Sequence, residues 1–391
     1  MKIVLTVILA WVCVNAVYAV DDERIFIDAK INDQPVHFAF DSGMGVPFLL
    51  YSETARKLNL KTTPTPADAK IGSGQFPIGW TDAQTLEILG STGKVCFAVA
   101  EIPSYLKPDE DGVVGWQALT ENVFSLDCVN YAANSVTIGR KEFRGWVQCH
   151  IQTNADLTLE LPDKKRSREI IALDSGSTFG VELNQQQWHE WKNSHPNQPT
   201  TMEGYYTPGS GLVVAEEGWA DKISLGKLTL TDVPVMQASS SDIALHSSSQ
   251  FPYEATLGLA AMKRLDIVID GKNQIVYLRP KNEPPMPYKY NHLGAVFIPK
   301  DLQNDDLIAH VAKGSPAAEA GIVEGDLLLK IGDLDCTQWR NNSNVLSSMK
   351  LCLDSPEGTK LELTLKRGGK IFKTTVTLRN ILPPDTVTES N

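Results

Sequence analysis

Phe40-Asp41-Ser42-Gly43 and Leu173-Asp174-Ser175-Gly176 are the stretches that decide the fold. Each Asp-Ser-Gly follows an apolar, strand-like run, His37-Phe38-Ala39-Phe40 in one case and Ile170-Ile171-Ala172-Leu173 in the other. Each is followed, after a similar interval, by an apolar run ending in glycine: Val113-Val114-Gly115 and Thr256-Leu257-Gly258. A short helix and another strand are expected next, at Phe124-Ser125-Leu126-Asp127 and at Leu265 to Asp270. Both copies then close on a further apolar strand, Ser135-Val136-Thr137-Ile138 and Gln274 to Leu278. A single Asp-Ser-Gly is ordinary turn chemistry. Two copies with matched landmarks describe one folding unit present twice.

The remaining sequence fits two such units with a third attached. The 391 residues exceed one ordinary domain, and 42% hydrophobic residues supply ample core. A net charge of −11 argues against nucleic acid or an anionic membrane as partner. Residues 1–19 read as an export signal: Lys2, an apolar run from Ile3 to Val14, and small residues at Val17 and Ala19. A retained anchor is the alternative, but the run is short for a span. The mature chain is therefore expected in a periplasm, cell envelope or extracellular space, without a stable membrane anchor. The basic run Lys164-Lys165-Arg166-Ser167-Arg168 reads as a solvated loop. Cys96, Cys128, Cys149, Cys336 and Cys352 remain after signal removal. Cys96–Cys128 and Cys336–Cys352 disulfides, or partly buried free thiols, both fit. No His or Cys spacing suggests a metal, and no cofactor is expected.

With these motifs in place, the chain resembles the aspartic peptidases of the pepsin and retropepsin type, with both lobes in one chain. The resemblance covers roughly residues 24 to 280. It implies a mainly β fold, lobe 1 over 20–145 and lobe 2 over 146–279, each apolar-Gly strand crossing under its own Asp loop. It also implies that Asp41 and Asp174 form a catalytic pair with one water and that a monomer suffices to build it. Ser42, Gly43, Ser175, Gly176 and Ser177 would support the two loops. Such a pair shares one proton, because two close carboxylates do not both ionise readily. One copy departs from the pattern. Met44 follows the first motif, where the second has Ser177-Thr178, so Met44 would crowd the first loop or change its hydrogen bonds. The competing reading is an inactive bilobed module that binds peptides.

Local signals fill in the lobes. Asn32-Asp33 joins two alternating strands into a hairpin. Ser52 to Leu58 reads as a capped short helix, and Gln185 to Trp191 as its counterpart in lobe 2. Ile71 to Trp80 and Met202 to Trp219, both glycine-containing, are candidate flaps over a cleft. Ala238 to Gln250, rich in serine, reads as a surface loop.

A proline-rich linker at 280–290 leads to a third unit at 291–381, with a tail at 382–391. Gly314 to Ile331 places Pro316 at the start of a short helix and Gly321 at its end, before an apolar strand. This segment resembles a PDZ domain of the kind attached to exported proteases. By that resemblance Leu293, Gly294, Ala295 and Val296 form a carboxylate-binding loop for a partner's C-terminal peptide, and Ser343 to Leu351 the helix beside the groove. His292 and Ala295 depart from the usual residues of that loop. The implied function is an exported aspartic endopeptidase whose PDZ unit recognises substrate or partner peptides.

Overall fold

Asn32 and Asp33 adopt φ of 48° and 66°, the left-handed pair that matches the twist of a two-residue hairpin turn. They join strands Ile25–Ile31 and Gln34–Asp41, which run antiparallel from Ile31–Gln34 to Ile25–Phe40. The second strand therefore ends on Asp41. The computed structural model describes residues 23–64, 78–102, 110–136, 143–152, 156–162, 168–207, 211–239, 253–282, 287–300, 304–342 and 344–382. The export signal at 1–19, most of the basic run at 164–168, most of the first candidate flap at 71–80, most of the loop at 238–250, and all but the first residue of the tail lie outside them.

The fold is mainly β, as expected. The apolar-Gly strand Gly112–Gly115 runs parallel to the first Asp strand, Phe38 opposite Gly112 and Asp41 opposite Gly115. In the second copy Ala255–Leu257 runs parallel to Arg168–Leu173, Leu173 opposite Leu257. The strand after each Asp loop pairs antiparallel to that same crossing strand, Phe48 with Val114 and Val181 with Leu257. One connectivity thus appears twice, and both copies belong to a single sheet that has 21 strands among the described residues. The copies are joined where Val123–Asp127 pairs antiparallel with Leu265–Asp270. Phe40 and Phe124 pack edge to face there, ring centres 5.9 Å apart, inside the main apolar core.

Several local expectations are corrected. Helix Ser52–Lys57 has no side-chain cap; Tyr51 precedes it, and Ser52 is its first residue. The lobe 2 helix extends to Ser194 and is capped by Asn184, whose side chain accepts from Gln187 N–H. The strand expected at 135–138 occupies Ala132–Ser135. All five cysteines are free thiols, so neither disulfide forms. Burial pushes the Cys128, Cys149 and Cys336 thiols up to about 12, whereas Cys96 is exposed.

The C-terminal unit has its own antiparallel sheet, in the order Ala295–Pro299, Leu307–Val311, Leu327–Ile331, Lys360–Arg367, Lys370–Thr377. Helix Pro316–Glu319 begins as anticipated, with Ser315 accepting from Ala318 N–H, and Gly321 follows at φ 80°. Helix Asn344–Leu353 buries Val345, Leu346, Met349 and Leu353 in a second apolar core.

Candidate active site

The two Asp loops are interlocked through their serines. Ser42 Oγ donates to Leu173 O at 2.8 Å and accepts from Ser175 N–H at 3.0 Å. Ser175 Oγ reciprocates, donating to Phe40 O and accepting from Ser42 N–H, both at 3.0 Å. Both serines are fully buried. Each hydroxyl therefore satisfies one donor and one acceptor of the opposite lobe's backbone. Ser175→Ala would leave the Ser42 N–H and the Phe40 carbonyl without these partners in a dry interface. That predicts a loss of about 2 kcal/mol or more in urea unfolding, where an ordinary surface Ser→Ala would be near neutral.

This lock sets the carboxyl geometry. Gly43 lies against the Asp174 carboxyl so closely that a Cβ there would sit 2.6 Å from Asp174 Cγ. Gly176 is placed the same way, with 2.5 Å to Asp41 Cγ. Each carboxyl thus packs on the other loop's glycine, where only hydrogen fits. A side-chain hydrogen bond joins Asp41 and Asp174, which are 3% and 5% exposed. Burial, then the Asp174 charge and that hydrogen bond, hold the Asp41 carboxyl well above the usual carboxylate range. Gly43 N–H and Arg24 oppose the rise.

The two loops differ as their sequences do. Gly43 N–H donates to Asp41 Oδ1 at 2.8 Å, and Gly176 N–H to Asp174 Oδ1 at 3.0 Å. Ser177 Oγ then donates to Asp174 Oδ2 at 2.6 Å. Met44 has no hydroxyl to offer Asp41. Its side chain is buried in an apolar cluster with Leu49, Tyr51, Ala98, Ala100 and Val113. Its carbonyl accepts from Gln117 Nε2 at 3.0 Å, which helps to fix the loop.

Residues that sequence reasoning missed surround the pair. Leu157–Leu173 ends one ladder, so Asp156 is the next residue opposite Asp174. Tyr253 OH donates to Asp156 Oδ2 at 3.2 Å, while Asp156 Oδ1 is buried without a partner. Burial, then the Asp174 charge, raise Asp156 from 3.8 to about 7. In lobe 1 the equivalent ladder ends at Ile25–Phe40, so Arg24 is next opposite Asp41. Arg24 pairs with buried Glu110, whose Oε1 also accepts from Tyr51 OH at 2.8 Å. A cation faces one member of the pair and a third carboxyl the other.

The loop expected to capture a peptide carboxylate has Leu293 and Gly294 ahead of strand Ala295–Pro299, whereas Ala295 and Val296 are the first two residues of that strand. Its N–H groups are used internally: Leu293 and Gly294 both donate to Asn291 Oδ1, at 2.9 and 3.1 Å. Gly294 has φ 71°, and a Cβ there would meet Ser315 Cβ at 2.3 Å, so the turn requires glycine.

Residues 307–367 match the PDZ domain family. The match runs from strand Leu307–Val311 to strand Lys360–Arg367, so strands Ala295–Pro299 and Lys370–Thr377 lie outside it. A PDZ domain is a peptide- and protein-binding module, so a peptide or protein partner follows from the match. No curated protein matches the chain. Among the described residues no group of three or more His, Cys, Asp or Glu side chains is arranged to hold a metal ion.

Proposed function

We propose that the protein is an aspartic-type endopeptidase in which Asp41 and Asp174 activate one water, its PDZ domain serving peptide recognition. The observation that carries this reading is the reciprocal serine lock, which holds two buried carboxyls in mutual hydrogen-bonding contact. A pair sharing one proton has the two functions amide hydrolysis needs. The ionised carboxylate takes a proton from water as its oxygen attacks the carbonyl carbon. The protonated carboxyl hydrogen-bonds the carbonyl oxygen, and a proton passes to the departing amine as the C–N bond breaks. The pair ends the cycle with one proton, and no enzyme-bound acyl group forms.

A mixture of unstructured peptides in ¹⁸O-labelled water tests this from acid to neutral pH. Each new C-terminus should carry solvent oxygen, and amines added as acceptors should not be acylated. Absence of cleavage throughout that range, or transfer to the amines, would falsify the reading. The opposing reading, an inactive peptide-binding module, has one observation in its favour: Met44 deprives Asp41 of the hydroxyl that Ser177 gives Asp174.

A further inference from the structure

The second candidate flap is a hairpin, Thr201–Thr207 paired with Gly211–Leu225. Both arms pack against Ala295–Pro299, the first strand of the PDZ sheet. Among the described residues that strand pairs on one side only, with Leu307–Val311; its other edge is where an added peptide strand would lie. Thr201 Oγ1 donates to Asn291 O at 2.6 Å, and Asn291 Nδ2 donates to Met202 O at 3.0 Å. Asn291 also braces the expected carboxylate loop, with Oδ1 on the Leu293 and Gly294 N–H groups and Nδ2 on Ala295 O at 2.8 Å. On the facing helix, Lys350 Nζ lies 3.2 Å from Glu203 Oε1 and 3.2 Å from Asp354 Oδ2. Leu212 of the returning arm is buried in the same apolar cluster as Leu293, Ala295, Phe297 and Met349.

The same hairpin reaches the Asp174 loop. Tyr205 and Phe179 share a small apolar cluster with Ala215 and Met236, their rings 6.5 Å apart. Phe179 in turn packs under Gly258, where its carbonyl would meet a Cβ at 2.5 Å. The hairpin therefore rests on the PDZ domain through Thr201, Met202, Glu203 and Leu212, and between these, through Tyr205, on the loop that carries Asp174.

We propose that the resident ligand of the PDZ groove is this chain's own hairpin. The domain clamps the arms Thr201–Tyr205 and Leu212–Glu217 against Phe179, and a peptide from outside enters only by displacing them. The polar character of the contact suits a reversible clamp. Charged groups buried at an interface contribute less net stability than their number suggests, because desolvation offsets their attraction. Glu217, whose Oε1 accepts from Tyr288 OH at 2.5 Å, has Oε2 buried without a partner, and burial raises it to about 8. The clamp does not require hydrolysis at the Asp pair.

Hydrogen–deuterium exchange on the full chain tests it with two hairpin substitutions, Glu203→Lys and Leu212→Ala. Each should raise exchange at Ala295–Pro299 together with Thr201–Tyr205 by about tenfold or more. Strands Arg168–Leu173 and Leu265–Asp270 should stay protected. Faster exchange in the hairpin alone, with Ala295–Pro299 as protected as in the wild type, would overturn the proposal. If Glu203→Lys also exposes the reference strands, the uncharged Leu212→Ala decides by the same criterion.

Discussion

Asp41→Asn and Asp174→Asn are each expected to reduce peptide hydrolysis by about 10³-fold or more, measured as turnover on a cleaved peptide. Asn has almost the shape of Asp, and at both sites it preserves an oxygen to accept the Gly43 or Gly176 N–H. The serine lock does not involve either carboxyl, so cooperative unfolding should persist. What disappears is the shared proton: one side chain no longer ionises, and the other loses the partner that holds its pKa in a useful range. The double variant should be scarcely worse than either single one, because the two groups act as a unit. Full activity in either single variant would remove that residue from the chemistry.

Asp156→Asn is expected to stabilise the protein above neutrality and to leave it unchanged in acid. The native state holds the Asp156 proton up to about pH 7, whereas the unfolded chain releases it near 3.8. Stability therefore falls as pH rises between those values. The full cost, reached above about pH 7, is at most roughly 4 kcal/mol. Asn carries no charge to desolvate and keeps an oxygen for Tyr253 OH. Urea unfolding at about pH 4 and about pH 8 should show the variant's advantage only at the higher pH. Equal differences at both would make Asp156 a packing residue. Ionised Asp156 also favours the protonated form of the neighbouring Asp174, so the alkaline limit of any peptide hydrolysis should move to lower pH in the variant.

The Asp loops were legible because their requirements are local. A strand must deliver the carboxyl, a glycine must allow close approach, and a hydroxyl must follow the Asp; each is visible in a tripeptide and its flanks. The PDZ unit was legible through Pro316 and Gly321, whose backbone preferences mark a helix start and stop. Asp156 and Arg24 were not legible, since their meaning lies in strand register. Only the Leu157–Leu173 and Ile25–Phe40 pairings bring them opposite the two Asp residues. A signal did exist: each stands immediately ahead of the strand that pairs with an Asp strand. Asn291 was missed for a related reason. An amide side chain preceding a glycine turn reads as loop, and its four backbone partners include one from a distant segment, Met202, as well as its neighbours. The disulfide option failed because even spacing says nothing of whether two thiols meet.

The join between Val123–Asp127 and Leu265–Asp270 places an approximate two-fold axis inside one polypeptide. Two identical subunits around such an axis would have to present the same side chain on both sides. Here Met44 stands against Ser177, and Arg24 against Asp156. Covalent union lets one half be tuned without altering the other, so the symmetry of the framework coexists with a polarity that a homodimer could not encode.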